Sequence, residues 1–249
     1  MPDIKKQIAH HRSIRKYRTE PVPDDILRQI LEAGISASNT GNMQVYSMIV
    51  TKNEELRKQL WEVHFRQNMV LQAPVHITFC ADVNRFSQWC RARKAEPAYQ
   101  NLLWFCNAAI DATLASQNVA LAAESSGLGI CYLGTAIYNA GRIIDILQLP
   151  RGVIPISALV LGYPDEQPPL TGRLPLEAVV HEETYHEFSG EEINNLYAGL
   201  ESTEQTRQLM EINQKETLAQ VFTDNRYTKK DNEAISAAYL EVMKKQGFL

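Results

Sequence analysis

Arginine, serine and histidine meet in the short run His11-Arg-Ser-Ile-Arg15, which continues through Lys16, Tyr17 and Arg18. Arg12 and Arg15 carry planar guanidinium forks, each able to meet two oxygens of one phosphate, and both keep their charge when water is removed. Ser13 adds a hydroxyl between them. The run is expected as a short helix that starts at Ile4 and Ile8 and leads into a loop, with Arg12, Ser13 and Arg15 within one turn. Such a cluster suits a phosphate-bearing ligand, and a solvated basic face is the plainer alternative. A nucleic-acid surface fits worst. The 249 residues hold 25 Lys+Arg against 29 Asp+Glu, a formal net charge of −4, and no aromatic or basic partners follow the cluster.

Other chemistries find little support. The six histidines, His10, His11, His64, His76, His181 and His186, lack metal-ligand spacing, so core or surface roles are expected of them. Cys80, Cys90, Cys106 and Cys131 are far apart, form no CxxC, and read as small buried hydrophobes in a reducing compartment. No GxSxG, GxxxxGK[ST] or GxGxxG occurs. No catalytic dyad is visible. The first ten residues show no apolar signal-peptide core, and the most apolar stretch, 107–133, is interrupted by Asp111, Gln117, Asn118, Glu124 and Gly127. A soluble, cytoplasmic protein is the expectation.

The elements that must position the cluster follow from periodicity. Pro21-Val-Pro23 stops the chain, and a helix should run from Asp24 or Asp25 to about Ala37, with Ile26, Leu27, Ile30 and Leu31 on one face. Residues 36–42 form a polar turn, 46–51 a strand, 54–65 an amphipathic helix and 75–81 a second strand. Residues 98–126 are apolar round most of the helix and should be buried, ending at Gly127 or Gly129. A short strand at 130–133, a helix at 139–147 stopped by Pro150, and a strand at 156–162 complete a small sheet with helices on both sides. The class is α+β. After Arg173 the chain turns polar, and 181–232 shows no strong period before a helical pattern returns at 232–246. The expected organisation is a core over 1–180 and an extension over 181–249 that wraps the core or a partner subunit.

Taken in order, these features resemble a known family. His11-Arg-Ser-Ile-Arg15, Ser38-Asn39 with Gln44, Gln67-Asn68, Ala122-Ala-Glu-Ser-Ser-Gly-Leu-Gly129, Cys131-Tyr-Leu-Gly134, Leu161-Gly-Tyr-Pro164 and Arg173-Leu-Pro175 are similar to the FMN-dependent nitroreductases. The likeness is to the larger branch of oxygen-insensitive NADPH nitroreductases and flavin reductases. It covers roughly residues 5–185 and returns at the terminal helix.

The resemblance implies a nitroreductase-like sandwich, a small and mainly antiparallel sheet flanked by helices, assembled as an intertwined homodimer with one FMN at each end of the interface. His11, Arg12, Ser13 and Arg173 would hold the phosphate and ribityl end, and Arg15 would sit near the phosphate or the pyrimidine edge. Asn39 would contact the cofactor. Gln67, with Asn68 and Met69 beside it, would reach the flavin's polar edge. The backbone of Tyr132, Leu133, Gly134 and Thr135 would lie against the isoalloxazine. NADPH or NADH would deliver hydride in a ping-pong cycle to nitroaromatics, quinones or free flavin, which needs no separate acid or base. Alternatives on the same fold are a flavin-dependent dehalogenase, a flavin-fragmenting relative and a non-enzymatic flavin-binding protein. Arg207 and Arg226 are candidates for the 2′-phosphate of NADPH by charge alone.

Overall fold

The computed structural model describes residues 4–249. They divide into two compact units, one made of the chain up to Pro169 together with Ala237–Leu249, the other of Leu170–Ser236. In the first unit α1 (Ile4–Ala9) is followed by α2 (Asp24–Ile35), β1 (Tyr46–Thr51), α3 (Glu54–Val63), α4 (Met69–Gln72) and β2 (Val75–Asp82). Next come α5 (Asn84–Ala92), α6 (Leu102–Ser125), β3 (Gly129–Leu133), α7 (Thr135–Tyr138), α8 (Ala140–Leu147) and β4 (Val153–Gly162).

The four strands form one antiparallel sheet in the order β1-β2-β4-β3. Every residue of β2 is buried, as expected of a central strand with both faces covered. A bulge between Phe79 and Cys80 of β2 falls opposite Pro155 of β4, where a strand proline cannot donate to the ladder. β3 pairs only with Ala158–Gly162 of β4, so Pro155 lies beyond its reach on that side. The α+β sheet flanked by helices matches the sequence expectation.

Helix α6 crosses the sheet on small residues, Ala108, Ala112, Ala115, Ala120 and Ala123, which allow close approach. A Cβ on Gly34 of α2 would lie 2.6 Å from Val119 Cγ2, so the α2–α6 crossing needs glycine there. The other side of α6 leaves Leu102, Leu103, Ile110 and Leu114 exposed, with Leu103 at 66%. Its start differs from the expected Ala98: Asn101 caps the helix by accepting the Trp104 amide at 3.0 Å. Cys106 on this helix is exposed, against the expectation that all four thiols are buried. It falls on the side of α6 that faces away from the sheet.

The helix expected over the basic run is absent. α1 ends at Ala9, and residues 11–18 are extended, because the sheet offers them partners that a helix would forgo. Ser13 bridges Ile130 in parallel, Tyr17 bridges Pro164, and Arg18 donates its amide to Tyr163 O at 2.9 Å. α8 ends at Leu147 as expected, capped by the left-handed Gln148 at φ 51°, whereas β4 starts at Val153, three residues before the expected Ile156. The helix α5 has no counterpart among the sequence expectations.

The second unit holds more helix than its polar composition suggests. α9 (Gly190–Glu201) begins at a capping box between Ser189 and Glu192, α10 (Glu204–Asn213) is capped by Thr203, and α11 (Leu218–Gln220) opens on a box between Thr217 and Gln220. A π-helical turn, Val221–Arg226, follows. Local capping rather than apolar periodicity marks these starts. The last helix, α12 (Lys229–Gln246), carries the chain back into the first unit, where Tyr239, Val242, Met243 and Phe248 pack with Val45, Val83, Ala108 and Ile154. Among the described residues no helix is long and apolar enough to cross a membrane.

Candidate functional site

The basic run is held against the edge of β3 by an isolated bridge at Ser13, and a second bridge at Tyr17 ties it to Pro164. Ile14 N donates to Ile130 O at 2.8 Å, and Asp165 N donates to Lys16 O at 2.9 Å. Ile14 and Tyr17 are buried and anchor the segment. Tyr17 Oη donates to Ile14 O at 2.6 Å. Gly129 is what allows this seating, because a Cβ there would stand 2.6 Å from Ile14 Cγ1 and 2.8 Å from Ile14 Cβ.

With Ile14 and Tyr17 facing inward, the charged neighbours are left at the rim. Arg15 and Lys16 are exposed, and Arg12 is half-buried. Arg12 Nε donates to Pro168 O at 2.8 Å, and its Nη1 donates to His10 O at 3.1 Å. His11 Nδ1 lies 2.6 Å from Glu124 Oε1, which fixes the ring to the end of α6. Glu166 Oε1 accepts the backbone amides of both Arg15, at 2.6 Å, and Lys16, at 3.1 Å. Two successive N–H groups aimed at one carboxylate oxygen form an oxyanion cradle.

Two grooves meet at Glu166. One, of about 560 Å³, is lined by Arg12, Arg18, Glu124, Gly129 and Glu166 among others. The second, of about 450 Å³, is lined by Arg15, Lys16, Gln67, Asn68, Met69, Gln72 and Glu166.

Beside them, the loop 64–68 is tied to the start of α7 through a buried histidine. His64 Nδ1 lies 2.6 Å from Thr135 Oγ1, and Gln67 Nε2 donates to His64 O at 3.0 Å. Asn139 Nδ2 donates to Val63 O at 2.6 Å. His64 Nε2 meets His76 Nε2 on β2 at 3.3 Å. Both rings are fully buried. Burial pushes the His64 imidazole down to about 4, and burial, then the His64 and Arg57 charges, holds His76 well below its ordinary value. Phe65 and Arg66 both take left-handed backbone, φ 54° and 55°, an unusual conformation for two consecutive non-glycine residues. Gly134, where β3 leads into α7, is exposed, and a Cβ there would meet nothing within 4 Å, so its backbone faces open space.

The structure brings the sequence candidates together unevenly. His11, Arg12, Ser13 and Arg15 share one segment bridged to Ile130, and Arg15 shares a groove with Gln67, Asn68 and Met69. The Met69 side chain is itself buried. Tyr132 and Leu133 turn their side chains inward, with Tyr132 Oη donating to Ser116 Oγ at 3.2 Å, so that stretch can offer a ligand its backbone. Asn39 lines neither groove; its Oδ1 accepts the Gln44 amide at 3.3 Å, on a turn whose Thr40 is bound by buried Asp111. Arg173 belongs to the second unit, where Nη1 donates to the Thr171 and Gly172 carbonyls of its own loop at 3.0 and 3.1 Å.

Sequence reasoning missed Glu124, Glu166, Lys16 and the His64–His76 pair. Glu124 lies inside the quoted run 122–129, and Glu166 lies two residues after Pro164, so both were within reach of a search for acids near the cations. The histidines gave no signal, since twelve residues and a helix separate them.

The α+β chain thus presents a cationic segment and an oxyanion cradle at a pair of grooves that share Glu166. Comparison with known proteins gives it a family. The profile of the Nitroreductase family matches residues 8–163, and the chain belongs to that family. It is 37% identical to the FMN reductase [NAD(P)H] of Bacillus subtilis over 74% of this chain and 75% of that one. It is 39% identical to the oxygen-insensitive NADPH nitroreductase of Salmonella typhimurium over 72% of each. Among solved structures, a Bacteroides fragilis protein assigned to the oxidoreductases superposes with a TM-score of 0.96 at 49% identity, over 98% of this chain and 99% of that one.

Proposed function

We propose that the protein is an FMN-dependent NAD(P)H oxidoreductase that reduces nitroaromatics, quinones or free flavin. The observation that carries this reading is the pairing of a cationic, amide-lined segment with the Gln67 groove in a chain of this family. The residues present fit FMN: the amides of Arg15 and Lys16 already grip an oxyanion in the form of the Glu166 carboxylate, and Arg12 and Arg15 supply forked donors for a phosphate. Bound FMN would supply the two-electron carrier between nicotinamide and acceptor.

The chain's own residues bind and orient. His11, Arg12 and Ser13 are proposed to hold the phosphate and ribityl end, with the His11 ring steadied by Glu124. Arg15 places a permanent positive charge at the groove it shares with Gln67, where negative charge delivered by the donor is stabilised. Gln67, Asn68 and Met69 border the polar edge, and the open backbone at Gly134 offers hydrogen bonds without a side chain in the way. Two soft spots in the monomer, the exposed apolar side of α6 and the placement of Asn39 outside both grooves, support a homodimer in which a second copy covers α6. The test is the visible absorption spectrum of the purified protein and the flavin released on denaturation. One FMN per chain is expected, and a protein that neither carries nor takes up FMN would refute the reading.

A further inference from the structure

The buried pair His64–His76 has no part in binding a phosphate or stacking a flavin, yet it lies beneath the loop that lines the second groove and against the start of α7. His64 touches both. Its carbonyl accepts from Gln67 Nε2 at 3.0 Å, and its Nδ1 lies 2.6 Å from Thr135 Oγ1. The ring in turn rests on His76 through Nε2–Nε2 at 3.3 Å.

The protons of this chain can be assigned. Burial keeps both rings neutral, so each carries one N–H, and one of the two facing Nε2 atoms must donate to the other. His76 Nδ1 is buried and has no hydrogen-bond partner among the described residues. If His64 Nε2 were the donor, the His76 proton would sit on that Nδ1 as an orphaned buried N–H, the rarer kind of unsatisfied group. With the direction reversed, His76 Nε2–H donates to His64 Nε2, and only a bare lone pair is left unpaired at His76 Nδ1. His64 then carries its proton on Nδ1 and donates it to Thr135 Oγ1. The Thr135 hydroxyl, having accepted, keeps its own proton uncommitted on a half-buried residue next to the open Gly134 backbone.

We propose that His64, buttressed by His76, is the positioning residue of the flavin site: it fixes Gln67 through its carbonyl and, through the one-way chain His76 to His64 to Thr135, turns the Thr135 hydroxyl into a hydrogen-bond donor toward the bound cofactor. The role rests on the FMN reading above. The left-handed backbone at Phe65 and Arg66 fits it, since this turn brings Gln67 back onto the carbonyl of His64.

The first measurement is nitrogen-15 NMR of the histidine rings in the parent protein with FMN. It should find His64 protonated on Nδ1 and His76 on Nε2, both neutral across about pH 5.5 to 8, where an unperturbed imidazole titrates. The opposite tautomers, or a ring that titrates in that range, would overturn the chain. The second compares His64→Leu, His64→Asn and Thr135→Val. His64→Leu should weaken FMN by about tenfold and shift the flavin's visible band and midpoint potential. His64→Asn, which returns an N–H near Thr135, should recover most of both, and Thr135→Val should reproduce the spectral shift alone. A purely structural His64 would lower thermal stability and leave the band and potential of the bound flavin unmoved, and that result overturns the positioning role. A parent that binds no FMN overturns the flavin reading and this role with it. A parent that binds FMN but shows the opposite tautomers overturns the relay alone.

Discussion

Alanine in place of Gly129 presses directly on the seating of the basic segment. The added Cβ would lie 2.6 Å from Ile14 Cγ1 and 2.8 Å from Ile14 Cβ, and an ordinary contact begins at 3.4 Å, so the two backbones must part by about 0.8 Å. Ile14 is buried and its Cβ is rigid, so rotation of the side chain cannot relieve both contacts. The Ile14 N–Ile130 O bond, 2.8 Å in the native protein, would stretch beyond hydrogen-bond range. Overpacking of a core costs about 1–3 kcal/mol, and loss of one backbone bond about 0.5–1.5 kcal/mol more. Gly129→Ala should therefore lower unfolding stability by about 2–4 kcal/mol and weaken FMN, because His11, Arg12, Ser13 and Arg15 all ride on the displaced segment. Urea unfolding and fluorescence titration with FMN read the two effects. Gly127→Ala is the control: its φ of 78° is strained for alanine, but its Cβ meets nothing within 4 Å. It should lose about 1 kcal/mol of stability and no FMN affinity. Gly129→Ala with native FMN affinity would show that the segment does not hold the cofactor.

Arg12→Ala should weaken FMN by about 1.5–3 kcal/mol, the worth of a charge-assisted hydrogen bond, and an unchanged Kd would remove Arg12 from the site. Leu103→Glu or Leu114→Lys, on the exposed side of α6, should convert a dimer to a monomer with loss of FMN, as read by light scattering and absorbance. A dimer that survives both would place the interface elsewhere. Acid should destabilise the fold through its buried histidines. The His64 pKa is depressed from 6.5 to about 4, so its contribution is intact above 6.5 and falls away as pH drops toward 4, by up to about 3 kcal/mol in urea midpoints followed against pH. The loss should flatten in His64→Leu, and an equally steep loss in that variant would refute the assignment. Arg207 is exposed and already shares its charge with Glu204 at 3.3 Å, and kcat/KM is expected to favour NADPH over NADH by less than about a hundredfold. A larger preference that collapses in Arg207→Ala or Arg226→Ala would contradict this.

What the sequence disclosed depended on how local its cause was. Strand β1 was readable to the residue, and β2 to within one, because alternation and β-branched content are properties of the segment itself. The end of α6 was readable to Gly127 or Gly129 for the same reason; the helix stops at Ser125, and of the two glycines Gly127 takes positive φ. The conformation of residues 11–18 was not. Its helix-compatible pattern is overridden by the carbonyls of Ile130 and Tyr163 and the amide of Asp165, more than a hundred residues away. The same holds for Glu166 and for the His64–His76 contact, which only the sheet brings together. The helices that start at Gly190 and Leu218 stand between these cases. Their apolar period is weak, but Ser189 with Glu192 and Thr217 with Gln220 have the capping-box spacing and could have been read.

The central claim is that the segment from His11 to Arg15 and the Gln67 groove hold an FMN that accepts electrons from a nicotinamide. An anaerobic titration of the FMN-loaded protein with NADPH, followed by one equivalent of a quinone, tests it most directly. The visible flavin band should bleach at one nucleotide per chain and return in full on addition of the quinone, and should do neither at native rate in Arg15→Ala. A bound flavin that NADPH and NADH both leave oxidised would contradict the account.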